Sequence, residues 1–285
     1  EYDIYGNAIT QEITSYNEAN EVLTFKIIES VYLSGADAIN GNVEKSTITT
    51  YDDKAQGMNF DGVNDYIDIS SVPDIPAMNN YTVSVWFKND GGGNWSYGNW
   101  GQKVFDNTIF YHDFYLAVYS ANSGQPSNPL QPDYVDGALV FKTYESPQGL
   151  YDGCLVDNTN YKDGQWHHAV IVKDGTHGEL WVDGEMKDEA NDIKKVYTNG
   201  NMTVGTSFSP DSSQRKYWSG DIDNLGFYSS TLTEDEIKAI TFAGPDMSDE
   251  SLEAYYSFDD GTATDLTDNN YDGVLKNGVT SNLNN

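Results

Sequence analysis

Three large aromatic side chains lie in one glycine- and asparagine-rich segment. Asn89–Gly101 reads NDGGGNWSYGNWG and contains Trp95, Tyr97 and Trp100. This composition predicts a long loop, where aromatic side chains have no periodic reason to belong to a core. Apolar rings beside a few placed polar groups are the chemistry that binds a sugar ring. The segment is therefore a candidate sugar-binding site; the alternative is that the loop folds back and buries its tryptophans as a satellite cluster.

Other aromatic residues divide between this candidate site and the core. Three residues near other predicted loops are expected to join the ligand surface: Tyr111, His112 and Tyr134. Three tryptophans lie inside predicted strands and are expected in the core instead: Trp86, Trp166 and Trp181.

Asp223 is a candidate ligand for a cation. By the alternation of a strand it shares a face with Leu225 and Phe227, so its carboxylate is expected to point toward a partly apolar environment. An unpaired charge there is costly unless a cation or hydrogen-bond donors satisfy it. His167 and His168 are adjacent in a predicted strand and point to opposite faces, so they cannot jointly chelate one ion. We interpret them as hydrogen-bonded structural histidines.

The composition excludes several classes of partner. The 285-residue chain has 45 acidic and 15 basic residues, a net charge of −30. Such a surface repels phosphate backbones and anionic membranes, so we expect neither nucleic-acid binding nor membrane insertion. The single cysteine, Cys154, excludes an intrachain disulfide. Strong acidity without disulfides is typical of exported bacterial proteins, which predicts a secreted or cell-surface location.

The dominant periodicity is two residues. Tyr81, Val83, Val85 and Phe87 alternate with polar neighbours, and similar runs recur between turn-rich clusters. The pattern predicts an all-β fold, a two-sheet antiparallel β-sandwich of jelly-roll type. One short helix is predicted at 233–241, where Thr233 and Glu236 have the spacing of a capping box.

Four segments, in order, carry a family resemblance. They are Gly57–Ile69 (GMNFDGVNDYIDI), Tyr81–Lys88 (YTVSVWFK), Trp166–Gly184 (WHHAVIVKDG running into LWVDG) and Trp218–Ile237 (WSGDIDNLGFY followed by LTEDEI). Together they resemble the laminin-G-like branch of the concanavalin A-like lectin/glucanase superfamily. The resemblance implies the fold strongly and the ligand only weakly.

The resemblance also implies a structural calcium ion. In relatives, the strand equivalent to that of Asp223 meets a loop similar to the one that follows Phe258. The residues that match as ligands are Asp223, Asp259 and Asp265, with Asp260 and Gly261 as carbonyl donors. The alternative is that these are ordinary solvated acids.

Enzymes of this superfamily are the least favoured interpretation. Related glucanases place acidic residues in a row on one strand face, and the nearest match is Glu179, Asp183 and Glu185. The resemblance places Asp183-Gly184 in a hairpin turn, which moves Glu185 to the next strand and breaks the row. The lyase branch has arginine-rich clusters, whereas Arg215 is the only arginine here.

The organisation has three predicted parts: an N-terminal extension over residues 1–45, a laminin-G-like sandwich over 46–245 and a C-terminal segment over 246–285. Glu21–Leu33 is compatible with strand or helix. The family's usual first strand is matched best by Leu252–Gly261, near the end of the chain. Either a second repeat begins there, or the segment docks on the sandwich; we favour docking.

These observations favour a non-catalytic, lectin-like module that binds a poly- or oligosaccharide through loop aromatics, with calcium as a structural ion. We expect it to be part of a larger multidomain protein. The alternative is a structural or protein-adhesive spacer of a surface adhesin. A glycoside hydrolase or polysaccharide lyase ranks third.

Overall fold

A computed structural model describes ten stretches of the chain: residues 10–16, 22–32, 43–52, 57–92, 101–106, 112–119, 135–145, 153–196, 202–207 and 216–281. Before residue 57, and at 112–113 and 144–145, it describes the backbone alone.

The chain divides into two compact units. The first comprises Glu1–Ala55 and Phe242–Gly244, and the second comprises Gln56–Thr241 and Pro245–Asn285. The first unit holds an antiparallel sheet in the order β1-β2-β3. Its strands are β1 (Thr10–Tyr16), β2 (Val22–Tyr32) and β3 (Val43–Asp52). The segment that the sequence left open between strand and helix is therefore the strand β2. The sandwich unit begins later than the predicted residue 46, because residues up to Asp52 belong to β3.

The second unit is an all-β sandwich, as predicted. One sheet has the order β13-β12-β11-β6-β15-β4-β18, with β16 also paired to β15, and the other has the order β10-β9-β8-β7-β14-β5-β17. We call them the eight-stranded and the seven-stranded sheet. All their strand pairs are antiparallel. The strands are β4 (Met58–Asp61), β5 (Tyr66–Asp68), β6 (Asn80–Asn89), β7 (Gln102–Asp106), β8 (His112–Val118), β9 (Leu139–Glu145), β10 (Cys154–Asp157), β11 (Trp166–Asp174), β12 (His177–Val182), β13 (Glu185–Ala190), β14 (Thr203–Val204), β15 (Ser219–Tyr228), β16 (Leu252–Tyr256), β17 (Val274–Lys276) and β18 (Thr280–Ser281).

The hydrophobic core lies between these two sheets. On β6 the alternating residues Tyr81, Val83, Val85 and Phe87 are completely buried. The ring of Tyr81 packs edge-on against Phe114 of the seven-stranded sheet, with ring centroids 5.8 Å apart. Each such buried side chain contributes about 1.5–3 kcal/mol to folding. The period-two pattern therefore indicates which face of each strand packs in the core.

The predicted helix is present as α1 (Glu234–Ala243). Thr233 and Glu236 form the predicted capping box: the Thr233 N–H donates to Glu236 Oε2 at 2.7 Å, and the Glu236 N–H donates to Thr233 Oγ1 at 3.4 Å. Ile237 and Ile240 bury the inner side of the helix on the outer face of the eight-stranded sheet. Among the described residues, no helix has the length and apolar character to cross a membrane.

The C-terminal segment contributes strands to both sheets. β16 pairs with β15, β18 pairs with β4 and β17 pairs with β5. The loop after β16 is organised by Asp265, which is 5% exposed. Its Oδ1 accepts the N–H groups of Tyr255 and Thr267, both at 3.0 Å, and its Oδ2 accepts the N–H of Tyr271 at 2.9 Å and the Thr267 hydroxyl at 2.8 Å. One carboxylate thus connects β16 to the chain that leads to β17.

We predict that Asp265→Asn lowers the free energy of unfolding by about 2–4 kcal/mol, because an amide NH₂ replaces one acceptor that holds buried backbone N–H groups. Asp260→Asn, in the same loop but exposed, is the control and is expected to cost less than about 1 kcal/mol. Urea denaturation in chelator measures both. Equal losses for the two variants would contradict this role for Asp265.

Candidate functional site

The register of three strands brings together the residues that flank two predicted ligand loops. In the seven-stranded sheet, Gln102 at the start of β7 pairs with Val118 at the end of β8, and Val118 pairs with Leu139 at the start of β9. The segment 93–100 leads into β7, and the segment 120–134 joins β8 to β9. Both therefore leave the sandwich at one end, which we call the loop end: residues 89–92, 101–102, 135–138 and 158–164.

The remaining predicted ligand residues belong to the opposite end of the sheet. His112 begins β8 and pairs with Glu145, about 20 Å along the strand from Val118. Tyr111 immediately precedes it. The register therefore does not bring His112 to the loop end. Five predicted ligand residues and the side chain of a sixth lie outside the described residues, so their roles stay a prediction: Trp95, Tyr97, Trp100, Tyr111, Tyr134 and His112.

A buried amide network anchors the root of the first loop. Gln102 is 1% exposed and Asn89 is fully buried. Gln102 Oε1 accepts from Asn89 Nδ2 at 2.8 Å and from the Ser219 N–H at 3.2 Å, while its Nε2 donates to the carbonyl of Gly92 at 2.6 Å. Asn89 Oδ1 accepts the N–H of Gly91 at 2.9 Å. The described residues on either side of the segment 93–100 are thus held by one pair of side chains.

Close backbone packing reinforces this anchor. A Cβ atom at Gly101 would lie 2.2 Å from the carbonyl oxygen of Val118, so only glycine fits there. Asp90 Oδ1 accepts the Ser219 hydroxyl at 2.7 Å and the N–H of Gly92 at 2.8 Å. The loop end therefore offers a rigid rim rich in amide, carboxylate and carbonyl groups.

A turn from β10 toward β11 adds further polar groups to the loop end. Lys162 forms an ion pair with Asp136, with Nζ 2.7 Å from Oδ1. His167 lies between two carboxylates, with Nδ1 2.8 Å from Asp183 and Nε2 3.3 Å from Asp163. Burial lowers the pKa of His167, but the two acids outweigh that effect and raise it overall.

His168 points to the other face, as predicted for adjacent residues in a strand. It is fully buried, and its ring nitrogens lie 2.8 Å from Ser84 Oγ and 2.9 Å from Thr241 Oγ1. Burial lowers its pKa to about 3, so the ring stays neutral near pH 7. Both histidines are hydrogen-bonded, as interpreted from the sequence.

The predicted face of Asp223 is wrong. The residue pairs with Trp86 on the outer face of the sheet, because a register shift between Asp223 and Gly226 separates it from the inward Leu225 and Phe227.

Asp223 is an acid with an unsatisfied buried oxygen. The residue is 1% exposed; its Oδ2 accepts from Asn224 at 2.9 Å, whereas its Oδ1 has no hydrogen-bond partner. Burial and the nearby charge of Asp259 raise its pKa to about 8. An orphaned carboxylate oxygen beside a second acid fits a cation. Within the described residues, however, no three acidic, histidine or cysteine side chains are gathered so as to hold a metal ion.

Of the other predicted calcium ligands, Asp265 and Asp260 have side chains that accept hydrogen bonds within the loop. The carbonyl groups of Asp260 and Gly261, which were the predicted donors, stay a prediction. Both oxygens of Asp265 hold backbone N–H groups. Asp260 Oδ1 accepts the N–H and hydroxyl of Thr262 at 2.9 and 2.6 Å, and these bonds lower its pKa. Gly261 closes a turn by donating its N–H to the carbonyl of Phe258 at 3.0 Å. Of the predicted set, Asp223 and Asp259 are the two whose charges interact.

The acidic row considered for catalysis is interrupted as the resemblance implied. Asp183 and Gly184 have positive φ angles of 54° and 78°, the conformation of a tight hairpin turn. Glu185 therefore belongs to β13 and pairs with Val182. Glu179 instead accepts the indole N–H of Trp181 at 2.7 Å.

The three strand tryptophans face away from the core between the sheets. Trp181 is 7% exposed and packs in the cluster under α1. Trp86 and Trp166 lie on the same outer face and are partly exposed, so their assignment to the core is wrong. The parity of β6 carried this signal, because Trp86 alternates with Val85 and Phe87 and shares a face with Thr82 and Ser84.

The Laminin G 3 family model, described as the concanavalin A-like lectin/glucanases superfamily, matches residues 61–238. The chain belongs to this superfamily. The match lies within the sandwich unit and includes β6, β7 and the loop end. No curated protein sequence matches the chain significantly.

Solved structures of similar fold come from several organisms. A candidate carbohydrate-binding protein from Bacteroides ovatus has a TM-score of 0.57 and 15% identity, covering 90% of this chain and 68% of that one. A heptameric SAP-like pentraxin from Limulus polyphemus has a TM-score of 0.48 and 13% identity, covering 80% and 97%. The CBM40 domain of a Ruminococcus gnavus sialidase has a TM-score of 0.45 and 15% identity, covering 65% and 96%. At 15% identity, the likeness to the Bacteroides ovatus protein shows a shared fold.

We predict that Gln102→Leu lowers the free energy of unfolding by about 2–4 kcal/mol, because it leaves the buried Asn89 amide and Ser219 N–H without an acceptor. Gln165→Leu, the same change at an exposed position next to the loop end, is expected to change it by less than about 0.5 kcal/mol. Urea denaturation followed by circular dichroism measures both. If Gln102→Leu is as stable as the wild type, the network does not anchor the loop.

Proposed function

We propose that this chain is a non-catalytic carbohydrate-binding module that holds a poly- or oligosaccharide at the loop end. The main support for the proposal is that two segments containing aromatic residues, 93–100 and 120–134, connect to the seven-stranded sheet at the same end. Membership of a lectin/glucanase superfamily supports it, as does the fold shared with the Bacteroides ovatus protein.

The chemistry of the loop end suits a neutral sugar. Trp95 and Trp100 supply flat apolar surfaces for the C–H faces of a sugar ring. Carboxylates and amides on the rim, among them Asp90 and Asp136, provide acceptors and donors for hydroxyl groups. The described rim is held by buried hydrogen bonds, so binding orders few additional groups of the rim itself.

The charge of the chain limits the class of glycan that we expect it to bind. A net charge of −30 repels sulfated and uronate polymers. We therefore propose neutral polysaccharides as ligands. The module is proposed to belong to an exported multidomain protein, in which it would attach its neighbours to a glycan.

We predict that affinity electrophoresis in gels containing neutral polysaccharides (xylan, arabinan, galactomannan and mixed-linkage β-glucan) retards the wild-type chain in at least one of them. Trp95→Ala/Trp100→Ala is expected to lose that retardation, because it removes the proposed stacking surfaces. Gels containing alginate and dextran sulfate test the charge argument and are expected to cause no retardation.

The matched control is Met186→Ala/Met247→Ala, which truncates two exposed apolar side chains outside the loop end and is expected to bind like the wild type. No retardation of a folded wild-type chain in any gel would remove the sugar proposal and favour the structural or protein-adhesive spacer. Retardation with release of reducing sugar would favour a glycoside hydrolase.

We further propose that calcium binds beside Asp223, with Asp259 as a second ligand. The support is the buried Oδ1 of Asp223 that has no hydrogen-bond partner. A bound cation would neutralise two adjacent carboxylates and satisfy that oxygen. Its role would be structural, because Asp223 lies between β6 and the loop that follows β16 and so joins two parts of the eight-stranded sheet.

We predict that millimolar calcium raises the melting temperature of the wild type, because a ligand at a hundredfold excess over its Kd stabilises the folded state by about 2.7 kcal/mol. Asp223→Asn is expected to abolish the calcium effect and retain the fold in chelator. Asp235→Asn, an exposed acid on α1, should behave like the wild type. Differential scanning calorimetry measures all three. An equal calcium effect in Asp223→Asn would place the ion elsewhere.

A further inference from the structure

The outer face of the eight-stranded sheet carries an aromatic and polar surface beside the loop end. Strand register puts Asn59, Asp221, Lys88 and Trp166 in one row across β4, β15, β6 and β11. With strands about 4.8 Å apart, this row is about 14 Å long. Trp86 follows in the next row on the same face. We call these five residues the sheet platform.

Helix α1 does not cover the platform, of which four residues are partly exposed and Asp221 is buried. Its apolar residues pack on the part of the face that carries Val170 and Trp181, and Thr241 in its last turn reaches His168. Beyond that point Trp86, Lys88, Trp166 and Asn59 are all partly exposed. The helix thus buries one half of the sheet face and not the half next to the loop end.

The platform is held in a defined geometry. The ring of Trp86 stacks on His168, with centroids 5.0 Å apart and planes 25° from parallel. His168 is itself fixed by hydrogen bonds to Ser84 and Thr241. The indole of Trp86 is therefore positioned before any ligand arrives, which lowers the entropic cost of binding.

The polar members alternate donors and acceptors along the row. Asp221 Oδ1 accepts from Asn59 Nδ2 at 2.7 Å, and its Oδ2 lies 3.9 Å from Lys88 Nζ. The side chain of Lys88 is 33% exposed and has three N–H donors, of which Asp221 occupies at most one. A carboxylate fixed between an amide and an ammonium beside two indoles presents hydrogen-bond groups and apolar rings together, as a polyhydroxylated ring requires.

We propose that the sheet platform is a second sugar-binding surface that, together with the loop end, binds an extended neutral polysaccharide. This rests on the proposed function. β6 joins the two surfaces directly, because Lys88 of the platform is followed by Asn89 of the loop anchor. A chain bound at the loop end therefore reaches Trp166 and Trp86 without leaving the protein, and affinity rises with chain length.

The test uses an oligosaccharide ladder, from disaccharide to octasaccharide, of the neutral polysaccharide that retards the wild type. Isothermal titration calorimetry measures Kd for the wild type, Trp86→Ala/Trp166→Ala and the control Met186→Ala/Met247→Ala. We expect the tryptophan variant to bind the octasaccharide at least tenfold more weakly, about 1.4 kcal/mol. Its affinity for the shortest ligand that binds should be unchanged, and the control should match the wild type at every length.

Two further measurements guard against loss of the fold. Trp86→Phe/Trp166→Phe keeps a ring against His168 and is expected to retain most of the affinity for long ligands. In the wild type, the indole N–H resonances of Trp86 and Trp166, assigned from the single Phe variants, are expected to shift with the octasaccharide and not with the shortest ligand.

The outcomes separate the two proposals. Two results would overturn the platform and leave the loop end as the sugar site. One is tight binding by the wild type with an affinity that does not depend on oligosaccharide length. The other is tight binding that is unchanged in the Trp86/Trp166 variants, with no indole shifts. Absence of binding to every neutral polysaccharide would overturn both. Weaker binding of all lengths equally would mean that the substitutions disturb the loop end, and would also overturn the platform.

Discussion

The position of β6 between β11 and β15 is the constraint on which the rest of this structure depends. Its inward residues fill the centre of the core. Its outward Thr82 accepts the N–H of Leu232 at 3.0 Å and donates to the carbonyl of Ser230 at 2.8 Å, so it fixes the chain that leads into α1. Ser84 holds His168, and Asn89 at the end of the strand begins the loop anchor. A shift of one residue in the pairing of β6 would exchange all these roles at once.

Two buried polar groups show how this acidic chain distributes its hydrogen bonds. The Gln102 amide has partners for both its oxygen and its nitrogen, so its burial adds rigidity without leaving an unpaired group. Asp223 is as deeply buried, yet its Oδ1 has no hydrogen-bond partner. Leaving a buried polar group unpaired costs free energy, and an ion bound beside Asp223 would offset that cost. This contrast separates the structural anchor from the place proposed for an ion.

The sequence predicted those features that depend on neighbours along the chain. The capping box of α1 needs only Thr233 and Glu236, three residues apart. The turn at Asp183-Gly184 and the inward row of β6 are equally local, because a strand alternates its faces whatever packs on it. The Gln102 network was not predictable in this way, since Asn89, Gln102 and Ser219 come from three strands that only the assembled sheets bring together.

The tryptophans show the difference between what a local sequence pattern predicts and what only tertiary contacts decide. Alternation alone placed Trp86 on the face of β6 opposite Phe87, and it determined the sandwich and the inward residues. It could not tell how much of the outer face α1 would cover. Only the tertiary structure decided that Trp181 lies under the helix while Trp86 and Trp166 stay partly exposed, and that the segments 93–100 and 120–134 leave from one end. The physical reason is that a periodic pattern depends on backbone geometry within one strand, whereas exposure depends on what packs against that strand from distant parts of the chain.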